Sequence, residues 1–408
     1  MAKHPVWTST FASLRNRNFR LFSIGLLFSF TALQMQTLTL NYIVYQLTNS
    51  ASAIGYINAA LGLSVLVFSF AGGVAADRVT KRNLMISTQL GMSLCTLILG
   101  ILISLNIARI QYIFIFAVLY GTVSAVNMVA RQSYVPELAG VENLTNAQGL
   151  MAGNMSLTRI VGPAAAGLLI AMYGAAPTFY IKTLCHGLFI VLLLLIPAGG
   201  KPKAYSGSIL GSAIDGVKYL RRDHKVFDLL LLGIIPVILG ASYISFLPVF
   251  QKVVFRVGPS ELGLMMSITG VGAIAGSLMV AALNNSHNKP RIMFITGAGF
   301  GASLLLFGIT AAMNNFPASL VMLAFVGASG TAFVAINSAL VQAITPPGMH
   351  GRVQAIFIAG IGLMSVGALP MGALVDAIGP SLTMGIFGAV TMIFVIVMVL
   401  ARPSLRRL

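Results

Sequence analysis

Long apolar runs separated by short polar breaks constrain this chain more than any other feature. Twelve can be marked in its 408 residues, at 21–47, 51–76, 83–106, 110–136, 144–172, 176–197, 226–254, 258–283, 290–313, 317–344, 351–376 and 380–401. A hydrocarbon core takes about 20 apolar residues of helix, and in lipid every backbone N–H and C=O must be satisfied within the segment. Runs of this length and number predict an all-α polytopic membrane protein with 12 transmembrane helices. Composition excludes the soluble alternative, because only 8% of residues are charged where a soluble domain carries about a quarter. A porin-type barrel would alternate polar and apolar residues in short segments, and these runs do not.

The formal net charge of +17 gains its meaning from where the bases lie. They gather at Lys3 to Arg20, Arg78 to Arg82, Lys201 to Lys225, Lys289 to Arg291, Arg352, and Arg402 to Arg407. With the N-terminus in the cytoplasm all of these fall on one side, leaving Arg109, Lys252 and Arg256 on the other. That is the positive-inside pattern of an even number of spans with both termini cytoplasmic. The expected partner of the charge is therefore the lipid bilayer, not nucleic acid. Cys95 and Cys185 lie inside apolar runs, and the five His are scattered. Neither a metal site nor a cofactor is indicated, and a membrane-embedded enzyme would need clustered His, Asp or Glu at a membrane face. A phosphate-cradling Gly-x-x-x-x-Gly-Lys loop is absent from the sequence, which excludes ATP hydrolysis by that route. The basic start followed by an apolar run reads as a first span that is retained.

The polar stretch 198–225 divides the spans six and six. The expected organisation is a cytoplasmic leader with an interfacial helix (1–20), a first six-helix half (21–197), a cytoplasmic linker with the amphipathic stretch Asp215 to Lys225 (198–225), a second half (226–401) and a basic tail (402–408). The halves look like repeats. Asn127 stands nine residues before Pro136, as Asn337 does before Pro346, and Gly167, Leu168 and Gly174 answer to Gly372, Leu374 and Gly379. Two such repeats place a solute site between them near the midplane, reached alternately from either side.

The break between the second and third runs reads Gly72-Gly73-Val74-Ala75-Ala76-Asp77-Arg78-Val79-Thr80-Lys81-Arg82. A Gly, an acid four residues on, an Arg and a basic pair make a tight, anchored helix connection. This pattern resembles the signature loop of the major facilitator superfamily, with Thr80 where that family usually has Gly. The resemblance implies a cytoplasmic gate built from Gly73, Asp77, Arg78, Lys81 and Arg82, in which the acid holds the two halves together. It extends over the whole chain through the leader, Gln36, Leu47 to Ser50, Arg131 with Gln132 to Leu138, and Pro346-Pro347 to Arg352. These segments resemble one bacterial branch, similar to enterobactin (siderophore) exporters and macrolide efflux pumps. Span five carries Gly149, Thr158, Arg159, Gly162, Pro163, Ala166 and Gly167, which resembles the motif of superfamily antiporters except that the family prefers Gly at 158 and 166.

Polar residues inside the spans are the candidates for transport itself. Gln34, Thr37, Asn41 and Tyr45, with Gln36 beside them, form a stripe on span one, and Asn127, Asn154, Tyr243, Asn337 and Gln342 add polar groups from other spans. Such residues line a water-filled cavity or join helices, and the resemblance favours cavity lining. Ionisable groups within spans are costly and point to function: Arg159, Lys182 and His186 are candidates for coupling. Lys182 can also snorkel to the interface, and Arg131 can snorkel or pair with Glu137. All eight acids lie near span ends or in connections, so a cavity of amides, tyrosines and bases suits neutral or anionic amphiphiles better than cationic ones. The expectation is a secondary active exporter of small amphiphiles, with protons as co-substrate, working as a monomer in a bacterial inner membrane. The alternatives are symport import of a metabolite or siderophore, and a non-transporting scaffold or sensor.

Overall fold

The computed structural model describes residues 12–197, 224–283, 288–346, 349 and 363–402. Most of the linker, of the leader and of the basic tail lies outside the described residues, as does the first part of the run 351–376. Helices α1 (Arg17–Thr48), α2 (Ala51–Arg78), α3 (Lys81–Ser104), α4 (Ile110–Ala139), α5 (Leu144–Tyr173) and α6 (Ala176–Leu194) come first. They are followed by α7 (His224–Gly240), α8 (Tyr243–Val249), α9 (Pro259–Ala282), α10 (Lys289–Ala312), α11 (Phe316–Ile344), α12 (Ala368–Ile378) and α13 (Pro380–Ala401). Among the described residues, eleven helical stretches are long and apolar enough to cross a membrane, and Leu363–Ile378 is a shorter apolar helix. Large apolar side chains such as Ile98, Ile115, Leu184 and Ile295 stand exposed, as lipid-facing residues do when the solvent is hydrocarbon.

The seventh run is not one straight helix. It breaks between Gly240 and Tyr243 and ends in a π-helical turn, Phe250–Phe255. Pro236 and Pro248 each remove a backbone donor. Ser242 at the break donates its hydroxyl to the Met364 carbonyl at 2.9 Å.

Ala12–Arg15 is a short 3-10 turn, and α1 starts directly at Arg17. The Asn16 side chain donates to the Leu138 carbonyl, and Ser13 bonds Asn143 and Asn146. Phe19 is fully buried, so residues 13–19 are seated on the α4–α5 connection.

The chain forms two compact units. The first comprises residues 1–40 and 64–206, the second 41–63 and 207–408. In the first, α3 packs on α4 and α6, and Phe22 meets Tyr134 edge-on at 5.5 Å and Phe189 at 5.9 Å. In the second, α10 packs on α11 and α13, and α9 on α11. Small residues make these approaches close: a Cβ at Gly272 would lie 1.9 Å from the Ala324 carbonyl oxygen, and one at Gly276 2.1 Å from that of Ala328. Without a hydrophobic force between helices in lipid, such backbone proximity supplies the packing energy.

Candidate functional site

The α2–α3 connection is held by its bases. Lys81 Nζ pairs with Glu137 at 3.1 Å. Arg82 donates from Nε to the Leu193 carbonyl at 2.8 Å and from Nη2 to that of Leu194 at 2.9 Å. Those carbonyls end α6, where the i+4 donors run out; Leu193 also takes the Ile196 N–H at 3.2 Å, and a cation there completes the helix. Both contacts fasten the first unit to itself. Thr80 has φ −58° and ψ 133°, a conformation open to any residue, which explains how Thr replaces the usual Gly. Gly72 lets α2 approach α4, since a Cβ there would be 3.0 Å from Val126 Cα. Gly73 is half-buried and Arg78 is exposed at the end of α2. The Asp77 side chain lies outside the described residues.

Two expectations for the bases are corrected. Glu137 takes Lys81, while the Arg131 guanidinium lies over the Phe30 ring, 4.8 Å from its centroid. Lys182 does not snorkel: its exposure is 0%. It donates to Gln36 Oε1 of α1 and stands 3.5 Å from the Phe179 ring centroid. One turn on, His186 is equally buried and its Nδ1 lies 2.6 Å from Gln89 Oε1 of α3. Gln89 Nε2 in turn donates to Ser29 Oγ at 3.1 Å. A buried chain of polar groups thus runs through α1, α3 and α6 of the first unit. Sequence reasoning missed Gln89, Ser29 and Tyr120, whose ring centroid lies 6.4 Å from that of His186. Their one signal was a polar atom inside an apolar run.

The span-one stripe divides. Gln34 lies against Gly162, whose Cβ would be 2.6 Å from Gln34 Cβ, and Thr37 bonds the Leu33 carbonyl. Asn41 accepts from Asn58 Nδ2 at 2.7 Å, and Asn58 Oδ1 accepts from Ser245 at 3.3 Å. Tyr45 is buried with Lys252 Nζ 5.5 Å from its ring centroid. That lysine also bonds Gln46 and Asn49 at 3.0 and 2.8 Å.

Other candidates join helices. Asn127 donates to Thr88 Oγ1 at 2.8 Å, Asn337 to the Leu229 carbonyl at 2.9 Å, and Asn154 to Ser23. Asn127 and Asn337 are buried and join helices within their units. Tyr243 is buried, and Gln342 is exposed and bonds Ser338. In α5, Pro163 and Gly167 are buried, Arg159 is half-buried, and Gly149 has open space where a Cβ would go.

Asp376 of α12 closes the second unit's polar set. Its carboxylate accepts from the backbone N–H groups of Ala51 and Ser52, each at 2.8 Å, and from Ser50 Oγ at 2.9 Å. It therefore caps α2, the helix that begins the 51–78 segment, with the sign that a helix N-terminus favours. No group of three or more His, Cys, Asp or Glu that could hold a metal occurs among the described residues.

Comparison with known proteins agrees with this architecture. The profile of the MFS_3 family, transmembrane secretion effectors, matches residues 8–408. The staphyloferrin A transporter of Staphylococcus aureus (strain NCTC 8325 / PS 47) is 27% identical over 366 residues, covering 87% of this chain and 90% of that protein. The enterobactin exporter EntS of Shigella boydii serotype 18 is 24% identical over 409 residues, covering 99% and 93%. Among solved structures, the nucleoside transporter NupG superposes with a TM-score of 0.73 at 14% identity, covering 94% of this chain and 98% of that one. The D-xylose–proton symporter gives 0.72 at 14%, covering 94% and 97%.

Proposed function

Because this chain belongs to the transmembrane secretion effector family of major facilitator transporters, we propose that it exports an acidic, siderophore-type amphiphile across a bacterial inner membrane in exchange for protons. That it is a multi-pass transporter and not an enzyme follows from the family and fold alone. The observation that carries the finer reading is the near-complete alignment with two siderophore transporters. Ferric chelators present hard, anionic oxygen donors. The buried ionisable groups found in the first unit, Lys182 and His186, are bases, which favours an anionic cargo over a cationic one. Gly162-Pro163 and the remaining span-five motif support export.

The test is accumulation of enterobactin, staphyloferrin A, a macrolide and a cationic dye by everted membrane vesicles with an acidic interior. Everted vesicles expose the cytoplasmic face, so an exporter loads them. Gradient-dependent loading with the acidic chelators, lost in Asp77→Asn, is the expected outcome. Accumulation only in right-side-out vesicles would mean import, and preference for the cationic dye would overturn the assignment of substrate class.

A further inference from the structure

The pair Lys182–His186 has no carboxylate ion-pair partner among the described residues, yet both side chains are 0% exposed. They lie four apart on one face of α6, where side chains are neighbours. Two positive charges there would repel in a medium that cannot hydrate them, and no carboxylate among the described residues offsets them. One charge, favoured by the Gln36 carbonyl and the Phe179 ring face, is tolerable; two are not.

The hydrogen-bond inventory points the same way. Gln89 uses its amide nitrogen on Ser29, so its oxygen faces His186, and Nδ1 must carry the proton to donate to it. That leaves Nε2 with a lone pair, fully buried and without a partner. Gln36 Nε2 and the Tyr120 hydroxyl are also buried without partners. An ammonium cannot accept from Gln36 Nε2, whereas a neutral amine can. Likewise His186 Nε2 becomes a donor only on protonation. The free Nε2 lone pair is the one position on the His186 ring open to a proton.

We propose that Lys182 and His186 form a two-base site that binds a single proton, held by Gln36 of α1 and Gln89 of α3. The proton enters on the free lone pair of one base and leaves to water as that lone pair is restored, so the site alternates between charge 0 and +1. The other titratable groups around the pair among the described residues are Tyr120 of α4, Cys185 next to His186 on α6, and Cys95 of α3, which acts electrostatically on Tyr120. Gln36 and Ser29, from α1, do not titrate. Because α1, α3 and α6 all contribute, the charge on the pair acts on how these helices pack. The inference rests on the reading of the chain as a proton-coupled transporter and assigns the proton's place.

The experiment uses full-length protein in proteoliposomes on a solid-supported membrane, stepped in pH without substrate. Wild type should give a saturable charge displacement with a single midpoint. His186→Gln should move that midpoint by about one unit or more, and the double variant Lys182→Gln/His186→Gln should abolish the signal. Lys182→Arg is the discriminating variant, and the one that best keeps the fold. Arginine can still donate to Gln36 but does not release its proton. A purely structural cation would therefore survive that change, whereas a proton carrier would lose its transient. A wild-type protein with no displacement, or a folded Lys182→Arg or double variant with the wild-type midpoint and amplitude, overturns the proposal. Since no substrate is present, failure here leaves export of siderophores standing, and failure of vesicle uptake leaves this site standing.

Discussion

At the scale of single residues, Asp376 is the clearest case of one side chain doing what a local sequence cannot. Helix α2 starts with four backbone N–H groups that have no intrahelical acceptor. Ser50 Oγ accepts from Ala53 at 3.3 Å, and Asp376, more than three hundred residues away, takes Ala51 and Ser52. Removing a cap costs about 1 kcal/mol, and the exposure of Asp376 holds the effect to that order. Asp376→Ala should lower the thermal midpoint of the detergent-solubilised protein, while Asp376→Asn, which keeps an acceptor, should recover most of it. Equal loss in both variants would show that charge, and not the cap, matters. The spacing Gly372-x-x-x-Asp376 repeats that of Gly73-x-x-x-Asp77.

At the scale of elements, the sequence disclosed spans and concealed their breaks. Lipid forces a spanning helix to be apolar throughout, so ten of the twelve runs could be placed from composition and appear as continuous helices among the described residues. The break in the seventh run depends on Ser242 meeting Met364 and on Gly240 meeting Phe300, contacts that no periodicity encodes. Lys182 shows the same limit. Its place near a span end was legible, but its anchor, Gln36, lies in another helix. The glycines of α5 make this testable, because their spacing is uninformative while their surroundings differ. Gly162→Ala would put a methyl 2.6 Å from Gln34 Cβ, whereas Gly149 has nothing within 4 Å. Gly162→Ala should therefore destabilise by about 1–3 kcal/mol, and Gly149→Ala should be neutral or gain up to about 1 kcal/mol of helix propensity. Thermal unfolding of each variant checks this. A stable Gly149→Ala protein that no longer transports would give Gly149 a role in motion that packing does not explain.

At the scale of the whole molecule, the division by sequence and the division by packing part company. The linker separates six runs from six, yet residues 41–63, which belong to the first six, cluster with 207–408. The reasons are local and additive. Gly372 sits against the Ala51 carbonyl and Gly55 against that of Ala368, each closer than a Cβ would allow. Asn58 takes Ser245, Asn49 takes Lys252, and Asp376 caps α2. A fragment comprising residues 207–408 would lose all of these partners at once and leave polar groups, the buried Ser245 among them, unpaired in the membrane, where they are expensive. Expressed alone, that fragment should accumulate several-fold less than when co-expressed with residues 1–206, since losses of a few kcal/mol change abundance on this scale. Asp376→Ala or Gly372→Leu in the 207–408 fragment should weaken the rescue. Equal accumulation with and without residues 1–206, measured in membranes by immunoblot, would mean that the 41–63 segment adds little to the second unit. Rescue undiminished by either substitution would place its contribution elsewhere, in the Asn58 and Lys252 bonds.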